Sequence, residues 1–216
     1  MILIPVKNLA NAKERLSAVL SPAQRRTLAE AMLQDVLSAV AAVNRHTCVA
    51  VVTSDPFAAD LARHYQFEII ADPANLGESD AIAHATRYCI AQGEDSTLVI
   101  PGDIPLVQAA DIEQVLQAAP PQGSVLVPGW DGRGSNAVLR RPADLFPLRF
   151  GNDSFQPHLR AAQATGRPCR VLQLPRLGLD VDNPTDLVQL LAAEGETRAQ
   201  QLLRAWQIQP QAAAAR

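Results

Sequence analysis

The sequence predicts an α/β fold in which a mostly parallel sheet carries helices on both faces. Short, continuous apolar runs, such as residues 2–4 and 98–100, are typical of strands that are buried on both faces. Segments with helical periodicity separate these runs as far as about residue 128, and such alternation favours a parallel sheet. Only 4% of the residues are aromatic, which suits helices packed on a sheet better than a β-sandwich.

The first part of the chain is predicted to form four strand–helix units and a fifth strand. Pro5 is expected to end the first strand, because proline has no N–H to donate to a neighbouring strand. Ser21 caps the first helix and Pro22 fits its first turn. The predicted strands are residues 2–4, 47–52, 67–70, 98–100 and 124–127, and the predicted helices are 22–44, 56–65, 79–91 and 109–118.

Residues 129–175 break this alternation, and we interpret them as a small inserted cap on a single domain of residues 1–206. The cap begins with a flexible, glycine-rich segment, and its first strand is expected to run in a different direction. A segment of glutamine and alanine at 207–216 has no apolar pattern and is predicted to be disordered. The remaining predicted elements are strands at 136–139 and 170–174, helices at 154–164, 184–191 and 197–206, and an extended segment at 179–182.

Charge and composition exclude several classes of function. The formal net charge of −3 gives no basic field that would attract nucleic acid. No apolar run approaches the ~20 residues that cross a membrane, and the first one is too short for a signal peptide. Cys48, Cys89 and Cys169 are far apart and lack metal-ligand spacing. We therefore expect a cytoplasmic protein with neither nucleic-acid nor membrane partners.

A single carboxylate, Asp103, follows the apolar run at 98–100. Pro101 and Gly102 stop that strand, and Pro105 stiffens the loop. Ligands of open α/β sheets bind at the carboxyl ends of the strands, so Asp103 is a candidate ligand for Mg²⁺ on a nucleotide. The alternative is that Asp103 only hydrogen-bonds its own turn.

The loop after the first strand carries three cations, Lys7, Lys13 and Arg15. Neither a P-loop motif nor a G-x-G-x-x-G motif is present, so neither a P-loop ATPase nor a dinucleotide-binding Rossmann site is indicated. Cations at this edge of the sheet would instead neutralise a polyphosphate. A solvated basic loop is the alternative.

Two further candidate sites lie in the second half of the chain. Asp180 and Asp182 alternate in an extended segment, so their carboxylates face the same way, and a cation such as Mg²⁺ or hydrogen-bond donors would have to offset their repulsion. The alternative to a metal site is that one of the two caps or flanks the next helix. Asn183 and Asp186 are interpreted as the cap of the next helix. Gly151 and Ser154 precede a helix start that suits an anion, to which Ser135 and Asn136 could add donors. His158 is interpreted as a surface or packed histidine, and it is a candidate only for indirect support of that anion.

Seven short motifs follow one another along the chain: Pro5-Val-Lys7, Ala12-Lys-Glu-Arg-Leu16, the loop from Pro73 to Gly77, Pro101-Gly-Asp-Ile-Pro105, Gly134-Ser-Asn136, Gly151-x-x-Ser154 and Asp180-Val-Asp182. In this order they resemble the guanylyltransferases of deazaflavin-coenzyme biosynthesis, which act on 2-phospholactate, phosphoenolpyruvate or 3-phosphoglycerate. The resemblance extends from residue 1 to about residue 190.

The resemblance implies a nucleotide-diphospho-sugar-transferase-like (GT-A-like) fold, GTP as donor, a small phosphorylated carboxylic acid as acceptor, Mg²⁺ as cofactor and pyrophosphate as product. Lys7, Lys13 and Asp103 would be catalytic, and the metal ligands would be Asp103, Asp180 and Asp182. The acceptor-binding residues would be Ser135, Asn136, Gly151 and Ser154. The implied nucleotide-binding residues are Pro5, Lys7, Lys13, Arg15, Pro73, Gly77, Ser79, Asp80 and Gly102.

Two positions depart from the family pattern. The family often has Gly-Leu-Asn after the third strand, where this chain has Gly77-Glu-Ser-Asp80. A carboxylate of Glu78 or Asp80 could still accept hydrogen bonds from guanine. The family often has glycine where this chain has Asp153, and a negative charge there must point away from an anionic acceptor.

The chemistry needs no histidine–carboxylate pair, because an acceptor phosphate is already ionised and can attack the α-phosphorus directly. A molybdopterin or sugar-phosphate nucleotidyltransferase, a metal-dependent glycosyltransferase and a non-catalytic nucleotide sensor are the alternatives. The sequence leaves open the identity of the acid and whether the protein forms a homodimer.

Overall fold

Seven strands and eight α-helices make up the computed structural model, which describes residues 1–43, 47–72, 77–151 and 153–208. The strands are β1 Ile2–Val6, β2 Val49–Thr53, β3 Glu68–Ala71, β4 Thr97–Val99, β5 Gly123–Pro128, β6 Ser135–Arg141 and β7 Cys169–Val171. The helices are α1 Pro22–Ala41, α2 Pro56–His64, α3 Glu78–Ala91, α4 Ala109–Gln117, α5 Phe155–Ala164, α6 Pro175–Gly178, α7 Pro184–Ala192 and α8 Arg198–Ala205.

The strands form one mixed sheet in the order β3-β2-β1-β4-β6-β5-β7. Strands β1 to β4 pair in parallel, and β5 pairs in parallel with β7. Strand β6 is antiparallel to both of its neighbours, β4 and β5. The predicted α/β class with a mostly parallel sheet is therefore confirmed, as is the reversed direction of the strand near residue 136.

Apolar side chains are buried on both faces of the sheet. Along β1, Ile2 and Ile4 pack on one face, while Leu3 between them packs on the other. Buried residues of α1, α2, α4, α7 and α8 cover the first face, and those of α3 and α5 cover the second. The continuous apolar runs of the sequence follow from this burial, because a strand covered on both sides has no polar face.

Strand β1 continues through Pro5 to Val6, so the prediction that Pro5 ends the strand is wrong. Its position explains why the proline is tolerated. Leu3 accepts a hydrogen bond from Ile100 of the β4 side, so Pro5, two residues further on, faces the same side. Strand β4 has already ended at Val99, so the missing N–H of Pro5 removes no hydrogen bond from the sheet.

The segment interpreted as a cap, residues 129–175, contributes β6 and β7 to the central sheet and α5 to one of its faces. The strand predicted at 170–174 is shorter and earlier, at Cys169–Val171, and Pro175 begins the four-residue helix α6. Asn183 and Asp186 form the capping box of α7, as predicted. Of the expected tail, residues 209–216 lie outside the described part of the chain.

Candidate active site

The predicted site residues meet at one edge of the sheet because of the strand directions. Strands β1 and β4 are parallel, so Lys7 and Asp103, which follow them, lie at the same edge. Strand β6 runs the opposite way, so its first residues, Ser135 and Asn136, lie at the edge where β4 ends. Reversal of one strand therefore brings a third part of the sequence to this edge.

The basic loop after β1 is anchored to the core. Its two three-residue 3₁₀ helices bury Leu9 and Leu16. Asp55 accepts a hydrogen bond from the backbone N–H of Leu9 at 3.0 Å and, through its other oxygen, caps α2 by accepting from Ala58. The alternative of a freely solvated basic loop is therefore wrong for the part around Lys13, whose side chain is only 7% exposed.

Lys13 joins two carboxylates that are distant in sequence. Its Nζ lies 2.5 Å from Oδ2 of Asp103 and 2.7 Å from Oδ1 of Asp182. These two oxygens are consequently no more than about 5 Å apart, and they share the ammonium group of Lys13. Burial disfavours the charged lysine, but attraction to Asp103 and Asp182 outweighs burial and raises the pKa of Lys13.

One backbone hydrogen bond places Asp103 beside the late acidic segment. The N–H of Val181 donates to the carbonyl of Asp103 at 3.1 Å, which ties residues 179–182 to the loop after β4. Gly102 allows that loop to approach α1, because a Cβ at this position would lie 3.1 Å from Leu33 Cδ1. Both carboxylates of the Asp180/Asp182 pair line the cavity beside this loop, as their alternation predicted.

A cleft with two lobes surrounds these groups. The first-loop lobe, about 510 Å³, lies between residues 5–13 and the α1 side chains Ala29, Met32 and Leu33. The hairpin lobe, about 380 Å³, lies between the β5–β6 hairpin, residues 150–154 and residues 180–186. Five residues line both lobes: Lys7, Glu78, Pro101, Asp103 and Asp182.

Four of the nine residues predicted to bind the nucleotide line the first-loop lobe. Those lining it are Pro5, Lys7, Lys13 and Gly102. Arg15, predicted to accompany them, lines the hairpin lobe instead.

The segment after β3 is arranged differently from the prediction. Among the described residues that line the two lobes, Glu78 is present but Gly77, Ser79 and Asp80 are not. Ser79 accepts a hydrogen bond from the N–H of Phe150 at 2.9 Å and so supports the wall of the hairpin lobe. Pro73 lies outside the described residues.

All four residues predicted to bind the acceptor, Ser135, Asn136, Gly151 and Ser154, line the hairpin lobe. The side-chain amide of Asn136 already donates both of its hydrogens, to Gly178 O at 2.8 Å and to Asp180 Oδ1 at 3.0 Å. Of the two residues that open β6, the geometry thus leaves only Ser135 with a side-chain donor for an anion. Asn136 orients Asp180.

The start of α5 differs from a simple cap. Ser154 is the N-cap residue, but its side chain makes no capping hydrogen bond. Its Oγ instead accepts from the N–H of Ser135 at 3.0 Å, which joins α5 to β6. Asp153 points to Arg133, whose Nε and second guanidinium nitrogen donate to its two oxygens at 2.7 and 3.3 Å. This pair neutralises the charge that would otherwise oppose an anionic acceptor.

The acidic residues at the centre of the cleft suit a hard divalent cation. Oδ1 of Asp103 is buried and has no hydrogen-bond partner among the described residues. Burial, and then the charge of Asp103, raises the pKa of Glu78 to about 7 and that of Asp180 to about 6. Carboxylate oxygens are the ligands that Mg²⁺ takes from proteins, so this donor set fits the predicted ion.

The protein alone does not hold these carboxylates in a ready-made metal cage. The described residues contain no group of three histidine, cysteine or acidic side chains arranged to hold a metal ion. The position between Asp103 and Asp182, the predicted place of the divalent cation, is bridged by the ammonium group of Lys13. A metal at this site would therefore also need ligands from a bound molecule, as Mg²⁺ does when it binds with substrate phosphates.

The contributors to the hairpin lobe that sequence reasoning missed include Trp130, Arg133 and Phe150. The first two belong to the glycine-rich segment that was expected to be flexible. Trp130 is fixed at both ends, since its backbone N–H donates to Gly178 O and its indole N–H to Asp186 Oδ1. The available signal was that Trp130 and Arg133 lie between β5 and β6, at the edge of the sheet where β4 ends.

A second missed signal is the lysine count. The chain has 19 lysines and arginines, but Lys7 and Lys13 are its only lysines, and both line the cleft.

Within the described residues, no helix is long and apolar enough to cross a membrane.

Comparison with solved structures identifies the fold. The structure titled a putative nucleotide-diphospho-sugar transferase from Desulfovibrio desulfuricans G20 superposes with a TM-score of 0.78 at 21% identity, covering 94% of this chain and 93% of that one. A cytidylyltransferase from Leptospira borgpetersenii superposes with a TM-score of 0.59 at 11% identity, covering 100% and 96%. The fold is thus that of the nucleotide-diphospho-sugar transferases.

Sequence comparison then identifies the family. The model described as "Guanylyl transferase CofC like" matches residues 1–215, so the chain belongs to this guanylyltransferase family. Phosphoenolpyruvate guanylyltransferase of Sphaerobacter thermophilus is 33% identical over 87% of this chain and 90% of its own length.

Two further relatives are named for other acids. The 3-phospho-D-glycerate guanylyltransferase of Colwellia psychrerythraea is 35% identical over 93% of this chain and 95% of its own length. The 2-phospho-L-lactate guanylyltransferase of Methanothermobacter thermautotrophicus is 34% identical over 94% and 88%. The resemblance found in the sequence is confirmed, and the chain is a nucleotidyltransferase of the guanylyltransferase type.

Proposed function

We propose that this enzyme transfers GMP from GTP to the phosphate of a small three-carbon phospho-acid and releases pyrophosphate. The observation that carries the proposal is the Lys13–Asp103–Asp182 centre, which lies where the two lobes of the cleft meet. Both lysines of the chain line the first-loop lobe, and two serines and two arginines line the hairpin lobe, so each lobe offers groups for one of two anionic substrates that react at this junction.

The first-loop lobe suits the triphosphate and nucleoside of GTP. Lys7 and Lys13 provide positive charge for the phosphates, and the apolar side chains of α1 offer a surface for a base or ribose. Glu78 lies where both lobes meet, and a carboxylate is a good acceptor for the N1–H and amino group of guanine.

The hairpin lobe suits the acceptor. Ser135 and Ser154 offer hydroxyl groups, Gly151 leaves room beside them, and Arg15 and Arg133 add positive charge. Three-carbon acids with one phosphate and one carboxylate need donors at both ends. We infer that the acceptor is phosphoenolpyruvate, 3-phospho-D-glycerate or 2-phospho-L-lactate, the acids named for the relatives.

We further propose that Asp103, with Asp180 or Asp182, holds Mg²⁺ when GTP is bound. The ion would supply charge neutralisation at the phosphates of the nucleotide. The unpartnered, buried Oδ1 of Asp103 supports this assignment.

The protein's own residues then act by positioning and by neutralising charge. An oxygen of the acceptor phosphate attacks the α-phosphorus of GTP, and the bond between that phosphorus and the bridging oxygen to the β-phosphorus breaks. Lys7 and Lys13 neutralise the charge that grows on the leaving pyrophosphate. The acceptor phosphate is already ionised near neutral pH, so no side chain has to remove a proton. The product would be a guanylylated acid of the kind used in deazaflavin-coenzyme biosynthesis.

A pyrophosphate-release assay tests the proposal. The purified enzyme is incubated with Mg²⁺ and each of GTP, ATP, CTP and UTP, in combination with each of the three acids. We expect release with GTP and with at least one acid, and no release when the acid is omitted. Release only with CTP, or only with a sugar phosphate or a molybdopterin, would assign the chain to another nucleotidyltransferase reaction on this fold. Nucleotide binding with no release in any combination would indicate a sensor.

A further inference from the structure

Behind the acceptor residues lies a buried histidine that sequence reasoning treated only as a candidate for indirect support. His158, on α5, is 1% exposed. Its Nε2 lies 2.9 Å from the backbone N of Arg149, and its Nδ1 lies 2.9 Å from Oγ of Ser135. Both ring nitrogens are therefore engaged, one with the backbone and one with a residue that lines the hairpin lobe.

The first contact decides which ring nitrogen carries the hydrogen. A backbone N–H can only donate, so Nε2 of His158 must be the unprotonated, accepting nitrogen. Burial, and then the nearby charge of Arg140, lowers the pKa of His158 to about 4, so the ring is neutral near pH 7. A neutral ring with an accepting Nε2 carries its hydrogen on Nδ1. That hydrogen is donated to Ser135 Oγ.

The hydroxyl oxygens of Ser135 and Ser154 each accept a hydrogen bond from within the protein. Ser135 Oγ receives the Nδ1–H of His158, and Ser154 Oγ receives the backbone N–H of Ser135 at 3.0 Å. Each hydroxyl thus has a donor behind it. The described residues offer no hydrogen-bond acceptor to either hydroxyl hydrogen, and both serines line the hairpin lobe.

We propose that His158 is a positioning residue for acceptor recognition: by donating to Ser135 it commits the Ser135 hydroxyl hydrogen to the hairpin lobe, where the hydroxyls of Ser135 and Ser154 together bind one oxyanion of the acceptor. The proposal rests on the proposed function, because it identifies the acceptor as the ligand of this lobe. It adds a fixed direction to the hydrogen bonds: the two serines act as donors, which selects an anionic oxygen over a neutral donor group such as an amide N–H.

Two amide substitutions separate the two contacts of the ring. In His158→Asn the amide nitrogen takes the place of Nδ1 and can still donate to Ser135, while the contact with Arg149 is lost. In His158→Gln the amide oxygen takes the place of Nε2 and can still accept from Arg149, while the contact with Ser135 is lost. His158→Phe removes both contacts and keeps the ring volume. The matched control is His84→Asn, because His84 is an exposed histidine on α3.

The affinity for each of the three acids is measured by calorimetry, with Mg²⁺ and a GTP analogue whose α- and β-phosphorus atoms are joined by a methylene group. Steady-state pyrophosphate release gives KM for the acid and for GTP. We expect His158→Gln and His158→Phe to weaken acid binding by ~10-fold or more, with the KM for GTP unchanged, since a misdirected donor loses most of a hydrogen bond to a charged group. His158→Asn and His84→Asn should stay within ~3-fold of the unsubstituted enzyme.

A double-mutant cycle tests whether His158 acts through Ser135. In the Ser135→Ala background, His158→Phe should change acid affinity by less than ~2-fold, because the hydroxyl that it orients is gone. An equal loss in both backgrounds, or a larger loss for the asparagine than for the glutamine variant, would overturn the proposal in favour of a purely structural role. If His158→Phe does not fold, the comparison of the asparagine and glutamine variants decides the question by itself.

The two proposals fail in different ways. An unsubstituted enzyme that binds an acid but releases no pyrophosphate from GTP refutes the proposed function, and the affinities of the variants still test His158. An enzyme that transfers GMP with unchanged acid affinity in His158→Phe refutes the role of His158 and leaves the proposed function intact. Failure of all three acids to bind refutes both.

Discussion

Nζ of Lys13 lies 2.5 Å from Oδ2 of Asp103, although the two residues are 90 positions apart in the chain. The lysine belongs to the loop after β1 and the aspartate to the loop after β4, and these strands are neighbours in the sheet. The same ammonium group contacts Asp182, so it links three segments at the junction of the two lobes. The most direct predictions concern this junction.

Replacement of Asp103 by asparagine should abolish turnover and leave the fold intact. The substitution keeps the size of the side chain but removes the charge that pairs with Lys13 and the anionic character of the buried, unpartnered Oδ1. We expect kcat for pyrophosphate release to fall by at least ~100-fold at saturating Mg²⁺. Asp60→Asn, at an exposed position on α2, is the control and should keep full activity. Activity near that of the control would remove Asp103 from the reaction.

Replacement of Lys13 by methionine should destabilise the protein and make its stability depend on Mg²⁺. The carboxylates of Asp103 and Asp182 would face each other without the ammonium group between them, which should lower the free energy of unfolding by roughly 1–3 kcal/mol, since Asp182 is 41% exposed and partly screened by water. Mg²⁺ should recover part of this loss. Urea unfolding with and without Mg²⁺ measures both effects.

The control for that experiment is Lys7→Met, which changes the exposed lysine of the same loop. It should reduce activity with little change in stability. A Lys13→Met protein that Mg²⁺ stabilises no more than it stabilises the control would argue against a cation between these two carboxylates.

Neutralising Glu78 should stabilise the nucleotide-free protein at alkaline pH. Burial, and then the charge of Asp103, raises the pKa of Glu78 from 4.5 to about 7, so the folded state binds more protons than the unfolded state between these values. Stability from this group is therefore fully present below pH 4.5 and is lost as the pH rises through about 7. Glu78→Gln should be more stable than the unsubstituted protein by about 1–2 kcal/mol near pH 8, with a gap that closes towards pH 5.

Urea unfolding at several pH values measures this difference. The control is Asp80→Asn, which changes an exposed carboxylate on the same helix. If the difference in the free energy of unfolding between Glu78→Gln and the unsubstituted protein did not change with pH, the pKa of Glu78 would not be raised by the cleft.

The Arg133–Asp153 pair should set the affinity for the acceptor. Arg133 lines the hairpin lobe, and both oxygens of Asp153 hold its guanidinium group. Arg133→Gln leaves the negative charge of Asp153 uncompensated beside an anionic substrate, so the KM for the acid should rise by ~3–10-fold. Asp153→Asn should have the opposite effect. Steady-state kinetics at low salt measures both, and the same direction of change in both variants would contradict the assignment.

A reagent that modifies amino groups should react almost exclusively with lysines that line the cleft. Lys7 and Lys13 are the only lysines, and the amino group of Met1 is paired with Glu94. Lys7 is exposed, whereas Lys13 is buried, so a reagent such as trinitrobenzenesulfonate should modify Lys7 first and inactivate the enzyme. GTP with Mg²⁺ should protect it. Mass spectrometry of the labelled protein identifies the position, and labelling that GTP does not slow would place the triphosphate elsewhere.

Apolar patterning was sufficient to predict the fold class and most of the elements. The runs at 2–4 and 98–100 became β1 and β4 because buried parallel strands need continuous apolar sequence. Residues 169–178 were harder to predict, because their apolar residues are divided among a short strand, a connecting segment and the four-residue helix α6. The continuation of β1 through Pro5 depended on where a neighbouring strand stops, which no local pattern records.

The location of a residue in the cleft was predictable where its type and its position relative to a strand end were enough, as for Asp103 and Ser135. It was not predictable where a contact depends on tertiary geometry. No local pattern indicates that Lys13 bridges Asp103 and Asp182, or that Asn136 has both of its donors occupied. The same holds for His158, since its two partners come from β6 and from the loop before α5.

Because β6 runs in the reverse direction, the two lobes have walls from different parts of the sheet. Lys7 and Asp103 follow strands of the parallel part and line both lobes, whereas the first residues of β6 and the hairpin before it line only the hairpin lobe. If the hairpin lobe binds the acid as proposed, changes in residues 129–134 would alter the choice of acid more than the binding of GTP. Exchange of this hairpin between relatives that prefer different acids would test that consequence.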